Sequence, residues 1–198
     1  MNPNPFAAFS LEPAPALDEV ALKERFARAT AESHPDKFQQ APELERAAAE
    51  THYAELNRAY QTLIDPRQRL LALYELTKGE KPRDVQRIPP GTMDLFVEVG
   101  QTCRELDQFL ERKRSAGRLE RAGLLSEEMA LQDTLTALRG KLDALGTTLQ
   151  AGLAALDAKW RAGGKDLNEL EAFYRKYSYL ARWRQQLEER EVALMTGE

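Results

Sequence analysis

The chain is poor in the residues from which reactive centres are built. One cysteine, Cys103, and two histidines, His34 and His52, are all it carries of those types in 198 residues. A lone thiol excludes an intramolecular disulfide and fits a reducing compartment. Even with both imidazoles it cannot make a cysteine-rich zinc or iron–sulfur site, so no metal and no cofactor is expected. Long apolar runs are missing too: none approaches the ~20 residues of a membrane span. The opening "MNPNPFAAFS" has neither a basic leader region nor the Arg-rich look of an organelle presequence, which makes the cytoplasm the expected location. Positive charge is not in excess, since 28 Lys and Arg stand against 32 Asp and Glu, for a net charge of -4. No global field draws the chain to nucleic acid or to an acidic membrane.

What is present is helical. Alternating strand patterns are nearly absent, and the chain is 42% hydrophobic, 30% charged and has a mean hydropathy of -0.57. That balance suits a soluble all-α protein with a real core. After a short apolar segment, Phe6 to Leu11, and the loop "EPAPAL", Asp18 can cap a helix. Leu22, Phe26, Ala29 and Ser33 fall on one of its faces. A second helix starts near Pro42 and runs to about Ile64, with Leu44, Ala48, Leu56, Ala59 and Leu63 at helical spacing. "DPRQ" breaks it, and the shorter "RLLALYEL" follows.

Composition then shifts. Residues 77–92, "TKGEKPRDVQRIPPGT", are rich in Pro and Gly and read as a connector between an N-terminal domain, 1–76, and a C-terminal one, 93–198. The C-terminal part holds three helical stretches. The first follows Thr92 and carries Met93, Phe96, Val97, Gly100, Cys103, Leu106 and Leu110. The second follows Ser126, with Leu125 and Ala130 as a possible staple, and steps by threes and fours from Leu131 to Trp160. Gly163 and Gly164 stop it, and Asp166 caps a third helix through Leu170, Phe173, Tyr177, Leu180, Trp183 and Leu187. Connections of this length make an antiparallel three-helix bundle or a bent coiled-coil hairpin.

The break between the first two helices is "AESHPDKFQQAPE". Pro35 disfavours helical geometry at His34, so three functional side chains sit at a forced corner. One reading is a helix-ending turn, in which Pro and Asp are common. A second is catalytic, with His34 as base and Asp36 as its orienter, but no nucleophile motif accompanies them. The third rests on the surroundings. His34-Pro35-Asp36, followed by Leu56, Asn57, Ala59, Tyr60, Leu63, Pro66 and Arg69 at matching spacing, resembles the J-domain of DnaJ-type co-chaperones.

That resemblance implies an antiparallel helical hairpin whose connecting loop touches a DnaK-type chaperone and stimulates its ATP hydrolysis. His34, Pro35, Asp36 and Lys37 would make the contact, and Lys23 and Arg28 match the family's basic helix face. Such a protein performs no chemistry itself and is not an enzyme. Ser33 stands where the family commonly has an aromatic residue, and Ala27 where it often has a base. Diluted in this way, the basic face implies salt-sensitive and weak chaperone binding.

No Gly/Phe-rich segment, zinc module or β-sandwich follows. A J-domain, a helical bundle and this length are similar to the HscB family, which brings the iron–sulfur scaffold IscU to a specialised DnaK-type chaperone, HscA. "ALKERFARATAESHPDKF" and "LNRAYQTLIDPRQRLLAL" carry that likeness, with "MDLFVEVGQTCREL" and "RKYSYLARWR" beyond the connector. The resemblance implies scaffold binding through Phe96, Val97 and Tyr179, with Gly100 falling where the pattern has a large aliphatic residue. The other reading of the bundle is a different client or a dimerisation arm, because the leucine spacing would also suit self-association. A monomer or weak dimer is expected.

Overall fold

The computed structural model of the chain describes residues 4–82 and 88–196. They form seven α-helices and two short 3-10 turns, with no strand among the described residues. The helices are α1 (Glu19–Glu32), α2 (Glu43–Ile64), α3 (Pro66–Lys78), α4 (Met93–Ser115), α5 (Arg118–Gly123), α6 (Leu125–Arg161) and α7 (Leu167–Thr196). Within the expected connector, residues 83–87 lie outside the described residues. Among the described residues, no helix is long and apolar enough to cross a membrane.

Short polar side chains set the helix starts. An oxygen of Asp18 accepts the Val20 and Ala21 N–H groups at 3.0 Å, Asp65 those of Arg67 and Gln68, and Asp166 those of Asn168 and Glu169. Each carboxylate satisfies donors that the first helical turn leaves orphaned. Gly79 ends α3 in the left-handed region, at φ 82, where its N–H donates to the Glu75 carbonyl.

Two compact units result, the first comprising 4–82 with 152–174, the second 88–151 with 175–196. In the first unit α1 and α2 form an antiparallel hairpin. Phe26 stacks on Tyr60 with centroids 4.2 Å apart, and His34 meets Tyr53 edge-on at 5.4 Å. Leu22, Leu56, Ala59 and Leu63 fill the seam, and α3 buries Leu70, Leu73 and Tyr74. Two arginines tie the N-terminal segment down. Arg25 donates to the Phe9 and Ser10 carbonyls. Arg69, only 2% exposed, donates to the Pro15 carbonyl at 2.9 Å and the Leu63 carbonyl at 2.6 Å. The "EPAPAL" loop is therefore fastened to the end of α2 by a buried cation whose hydrogen bonds offset its desolvation.

Leu44 and Ala48 do not join the seam, and Ala49 is buried in their place. The reason is length. Helix α1 ends at Glu32, so nothing on it stands opposite the first turns of α2, and Leu44 remains 83% exposed.

In the second unit the ion pairs give the directions. Lys141 pairs with Glu98 and Lys113 with Glu128, so α4 and α6 are antiparallel. Arg184 with Asp143 and Arg139 with Glu191 set α6 and α7 antiparallel. Arg190 with Asp107, and Lys113 with the Leu194 carbonyl, set α4 and α7 parallel. Leu131, Leu135, Leu138, Leu142 and Leu149 of α6 are all buried, as the leucine spacing requires. The Leu125–Ala130 staple is not made: Leu125 is exposed, and the short α5 precedes it.

The first turns of α4 differ from the expected stripe. Its buried positions are Val99, Thr102, Cys103, Leu106, Phe109 and Leu110. Carried backwards, that spacing reaches 95 and 92, not 93 and 97. Thr92 is accordingly buried and Leu95 half-buried, while Met93, Phe96 and Val97 are exposed.

Candidate functional site

The corner is a closed local unit. The Ser33 hydroxyl donates to the Ala29 carbonyl at 2.8 Å, turning back onto α1 from the position just past its last residue. Ser33 is buried, so a small side chain that can satisfy its own hydroxyl suits the position. His34 leaves helical geometry at φ -61 and ψ 129 and caps a 3-10 turn, Pro35–Phe38. Its Nδ1 accepts the Asp36 N–H at 3.3 Å, and the Lys37 N–H donates to the His34 carbonyl at 3.0 Å. Pro35 supplies a fixed φ at the first position of the turn and has no N–H that would need a partner.

Asp36 Oδ1 accepts from Gln39, and Oδ2 lies 3.5 Å from His34 Nδ1. When Nδ1 accepts the backbone N–H, the ring proton resides on Nε2, which leaves that nitrogen as a donor. Asp36 is nonetheless 73% exposed and His34 45%. The turn therefore presents a carboxylate already oriented from within and open to a bidentate cation from without.

The sequence-expected residues divide into groups. Pro35, Asp36 and Lys37 are contiguous on the 3-10 turn, and His34 caps it. Lys23 and Arg28 lie on α1 and are exposed, and among the described residues none of Lys23, Arg28 and Lys37 is ion-paired. Arg25, the third base of that helix, is committed instead to the Phe9 and Ser10 carbonyls. Its role was hidden because its acceptors lie about four turns of sequence upstream. Tyr53, edge-on against the His34 ring, was also missed; the only signal was an aromatic on α2 near the level of the corner.

On α4, Met93, Phe96 and Val97 are 54%, 42% and 54% exposed and lie on adjacent turns. Gly100 follows on the same helix, and a Cβ built there meets only the Arg104 guanidinium, at 3.6 Å. Tyr179 of α7 is half-buried and rests on Trp183 with centroids 5.6 Å apart. Cys103 is a buried apolar filler whose thiol is pushed up by burial, with nearby Asp107 adding and Arg190 opposing. No group of three or more His, Cys, Asp or Glu among the described residues is placed to hold a metal ion.

No protein-family model matches the chain. Two solved structures share its architecture. Chaperone HscB from Vibrio cholerae matches with a TM-score of 0.62 at 24% identity, over 96% of this chain and 99% of that one. The human co-chaperone protein HscB matches with a TM-score of 0.67 at 17% identity, over 96% of this chain and 83% of that one. The chain is thus built on the all-α fold of the HscB co-chaperones, a J-domain followed by a helical bundle.

Proposed function

We propose that the protein is a co-chaperone of iron–sulfur cluster assembly: it stimulates the ATPase of a DnaK- or HscA-type chaperone through its corner and delivers an IscU-type scaffold on its bundle. The observation that carries this reading is the His34-Pro35-Asp36 turn, internally hydrogen-bonded yet exposed, on a fold shared with HscB proteins. Pro35 and the capped turn leave little conformational entropy to lose on docking, and Asp36 offers a charge-assisted contact. The protein does no bond chemistry in this account. It shifts a conformational equilibrium in its partner. Met93, Phe96 and Val97, with Tyr179, supply an apolar patch for the scaffold, since exposed side chains of this kind on one helix mark an interaction surface.

A second reading keeps the J-domain and gives the bundle another client or a copy of itself. It is favoured by Leu119, Leu125 and Met129, all exposed and outside the expected scaffold patch. The leucine stripe of α6 does not serve it, because its side chains, the half-buried Leu145 apart, are already buried. Sedimentation equilibrium separates self-association from a monomer.

The deciding experiment is the steady-state ATPase rate of a DnaK- or HscA-type chaperone from the same organism, with wild type or His34→Gln, with and without the scaffold. Stimulation that His34→Gln abolishes, and that the scaffold raises more than additively, is expected. Stimulation without scaffold synergy would move the assignment to another client. Absence of any stimulation would reduce the corner to a turn.

A further inference from the structure

Where α5 runs into α6, an exposed row of side chains reads base, apolar, apolar, acid. Arg121, Leu125, Met129 and Asp133 follow one another at intervals of four, the spacing that makes a ridge on a helix surface. Leu124, between the two helices, is right-handed helical at φ -83 and ψ -10, and its carbonyl accepts the Glu128 N–H, so the row passes from one helix to the next. All four side chains are exposed, Leu125 and Met129 at 59% each. Arg121 uses only its Nε, on the Ala116 carbonyl, and among the described residues neither Arg121 nor Asp133 is ion-paired. Glu127 and Glu128 of the same turns are held by Arg112 and Lys113 of α4, which fixes this end of α6 to the bundle. Beside the ridge, Ala122, Ser126 and Ala130 form a second row of small exposed residues, a groove in which a facing ridge fits. Met195 of α7, 72% exposed, adds to the apolar surface. It lies about three turns past Arg184, which pairs with Asp143 of α6, and so keeps to the α7 edge that faces α6. Lys113, bonded to both Glu128 and the Leu194 carbonyl, brings the two helix ends together.

We propose that this ridge is a homodimer contact: two copies of the chain pack their α6 ridges antiparallel about a two-fold axis that passes between Leu125 and Met129. The order of side chains selects that occupant. Turned end for end and laid on itself, the row sets Arg121 against Asp133 of the partner subunit and Leu125 against Met129 of the partner subunit. Every contact is complementary, and symmetry makes each of them twice. An acidic partner surface would meet Asp133, and a basic one would meet Arg121. An anionic bilayer would take the arginine while desolvating the carboxylate. A partner whose charges run in the reverse order is required, and the chain itself is one. Ridges of this kind interdigitate at a crossing angle of about -50°, which confines the contact to the row and its immediate neighbours. That area falls short of the ~800 Å² a side of a standard interface, so the dimer is weak and reversible. The contact gives the self-association raised above a surface and a register, and it needs neither a chaperone nor a scaffold. Met93, Phe96 and Val97 lie at the other end of α4 and stay open in both copies.

The test is sedimentation equilibrium of the full chain from about 1 µM to about 1 mM at low ionic strength. The wild-type mass is expected to climb from 22.4 kDa towards twice that value, half-way at a concentration on the order of 100 µM, and to stop there because a two-fold contact closes. Met129→Asp should stay monomeric throughout, with an unchanged melting temperature. Arg121→Glu and Asp133→Lys, each alone, should raise the dissociation constant by about tenfold, since each turns two cross-contacts into like-charge pairs. An equimolar mixture of those two variants should associate as the wild type does, because each copy then supplies the charge that the other needs. Loss of helix stability cannot imitate that rescue. A wild-type mass that stays at one chain overturns the proposal and leaves the ridge to a different protein. Growth past two chains, wild-type association by Met129→Asp, or a mixture no better than its components overturns it as well.

Discussion

The corner and the α4 patch are two kinds of surface. The corner is built from interactions that close within a few residues: Ser33 to Ala29, His34 to Asp36, Asp36 to Gln39. Its geometry is prepared by backbone chemistry before any partner arrives. The patch has no such internal structure. Met93, Phe96 and Val97 are available because the core stripe of α4 runs through Val99, Cys103 and Leu106 and leaves them out. One surface consists of groups that could not be satisfied elsewhere in the same arrangement, the other of groups the core does not take. A substitution in the corner should therefore change function with little change in stability. On α4, stability and function should separate residue by residue.

The largest expected effect tests whether the corner's unit depends on a frame outside it. Arg69→Leu removes the donor to both the Pro15 and Leu63 carbonyls inside a buried site. We expect it to destabilise the first unit by about 3 kcal/mol, the sum of two hydrogen bonds from a charged donor. His34→Gln should stay within about 0.5 kcal/mol of wild type in the same urea melts, as exposed substitutions do. If His34→Gln also unfolded the protein, the corner would be a structural element and its contrast with the patch would collapse.

A pair of substitutions on α4 sharpens the contrast from the other side. Val99 is 1% exposed, so Val99→Ala should cost about 2 kcal/mol from lost transfer and residual cavity. Phe96→Ala should cost under about 0.5 kcal/mol and weaken capture of the scaffold instead. Gly100→Leu, whose Cβ would make an ordinary contact with the Arg104 guanidinium, should strengthen that capture and stabilise α4 slightly, since Gly is a poor helix former. Calorimetry on the variants and a scaffold-binding titration read both effects. Equal stability losses for Val99→Ala and Phe96→Ala would mean that the helix phase is wrong.

These two surfaces also differ in how far they could be read from sequence. The corner was legible because Pro35 forbids continuation of α1 whatever the rest of the fold does, and because the caps at Asp18, Asp65 and Asp166 act on neighbouring residues. The α6 leucines were legible because their spacing persists over nine positions and tolerates only one face. The start of α4 was not, since a short run containing Met93, Phe96, Val97 and Val99 fits two helical phases, and only packing selects one. Helix α5 escaped because six residues hold too little periodicity to signal a helix. Arg25 looked like part of a solvated basic face. Its carbonyl acceptors, on Phe9 and Ser10, close a short 3-10 turn, Ala7–Phe9, that composition does not reveal.

Smaller effects are expected from the basic face. Lys23→Ala combined with Arg28→Ala removes two exposed cations that have no ion-pair partner among the described residues, and should slow association with the chaperone several-fold at low ionic strength. At about 1 M salt, where the Debye length is ~3 Å, the difference from wild type should vanish. Stopped-flow association at two salt concentrations gives the answer. A wild-type rate that does not change with salt would remove the steering role and leave chaperone contact to the corner alone.

The smallest effect concerns Cys103, which lies on the buried side of α4 away from the patch. Burial holds its thiol above the ordinary range, so the folded protein keeps a proton that the unfolded chain releases as pH rises. Because the folded state then binds more protons than the unfolded one, stability falls with rising pH. The contribution is complete below the ordinary thiol range and is lost progressively as pH climbs through it towards the raised folded value. Urea melts from pH 7 to 10 should show this decline in wild type and a shallower one in Cys103→Ala. Alkylation of the native protein at pH 7 should be slow compared with that of an unfolded control, since the thiolate is the reactive form. Fast alkylation would place Cys103 on the exposed side and shift the phase of α4, and with it the set of side chains that the patch can offer a partner.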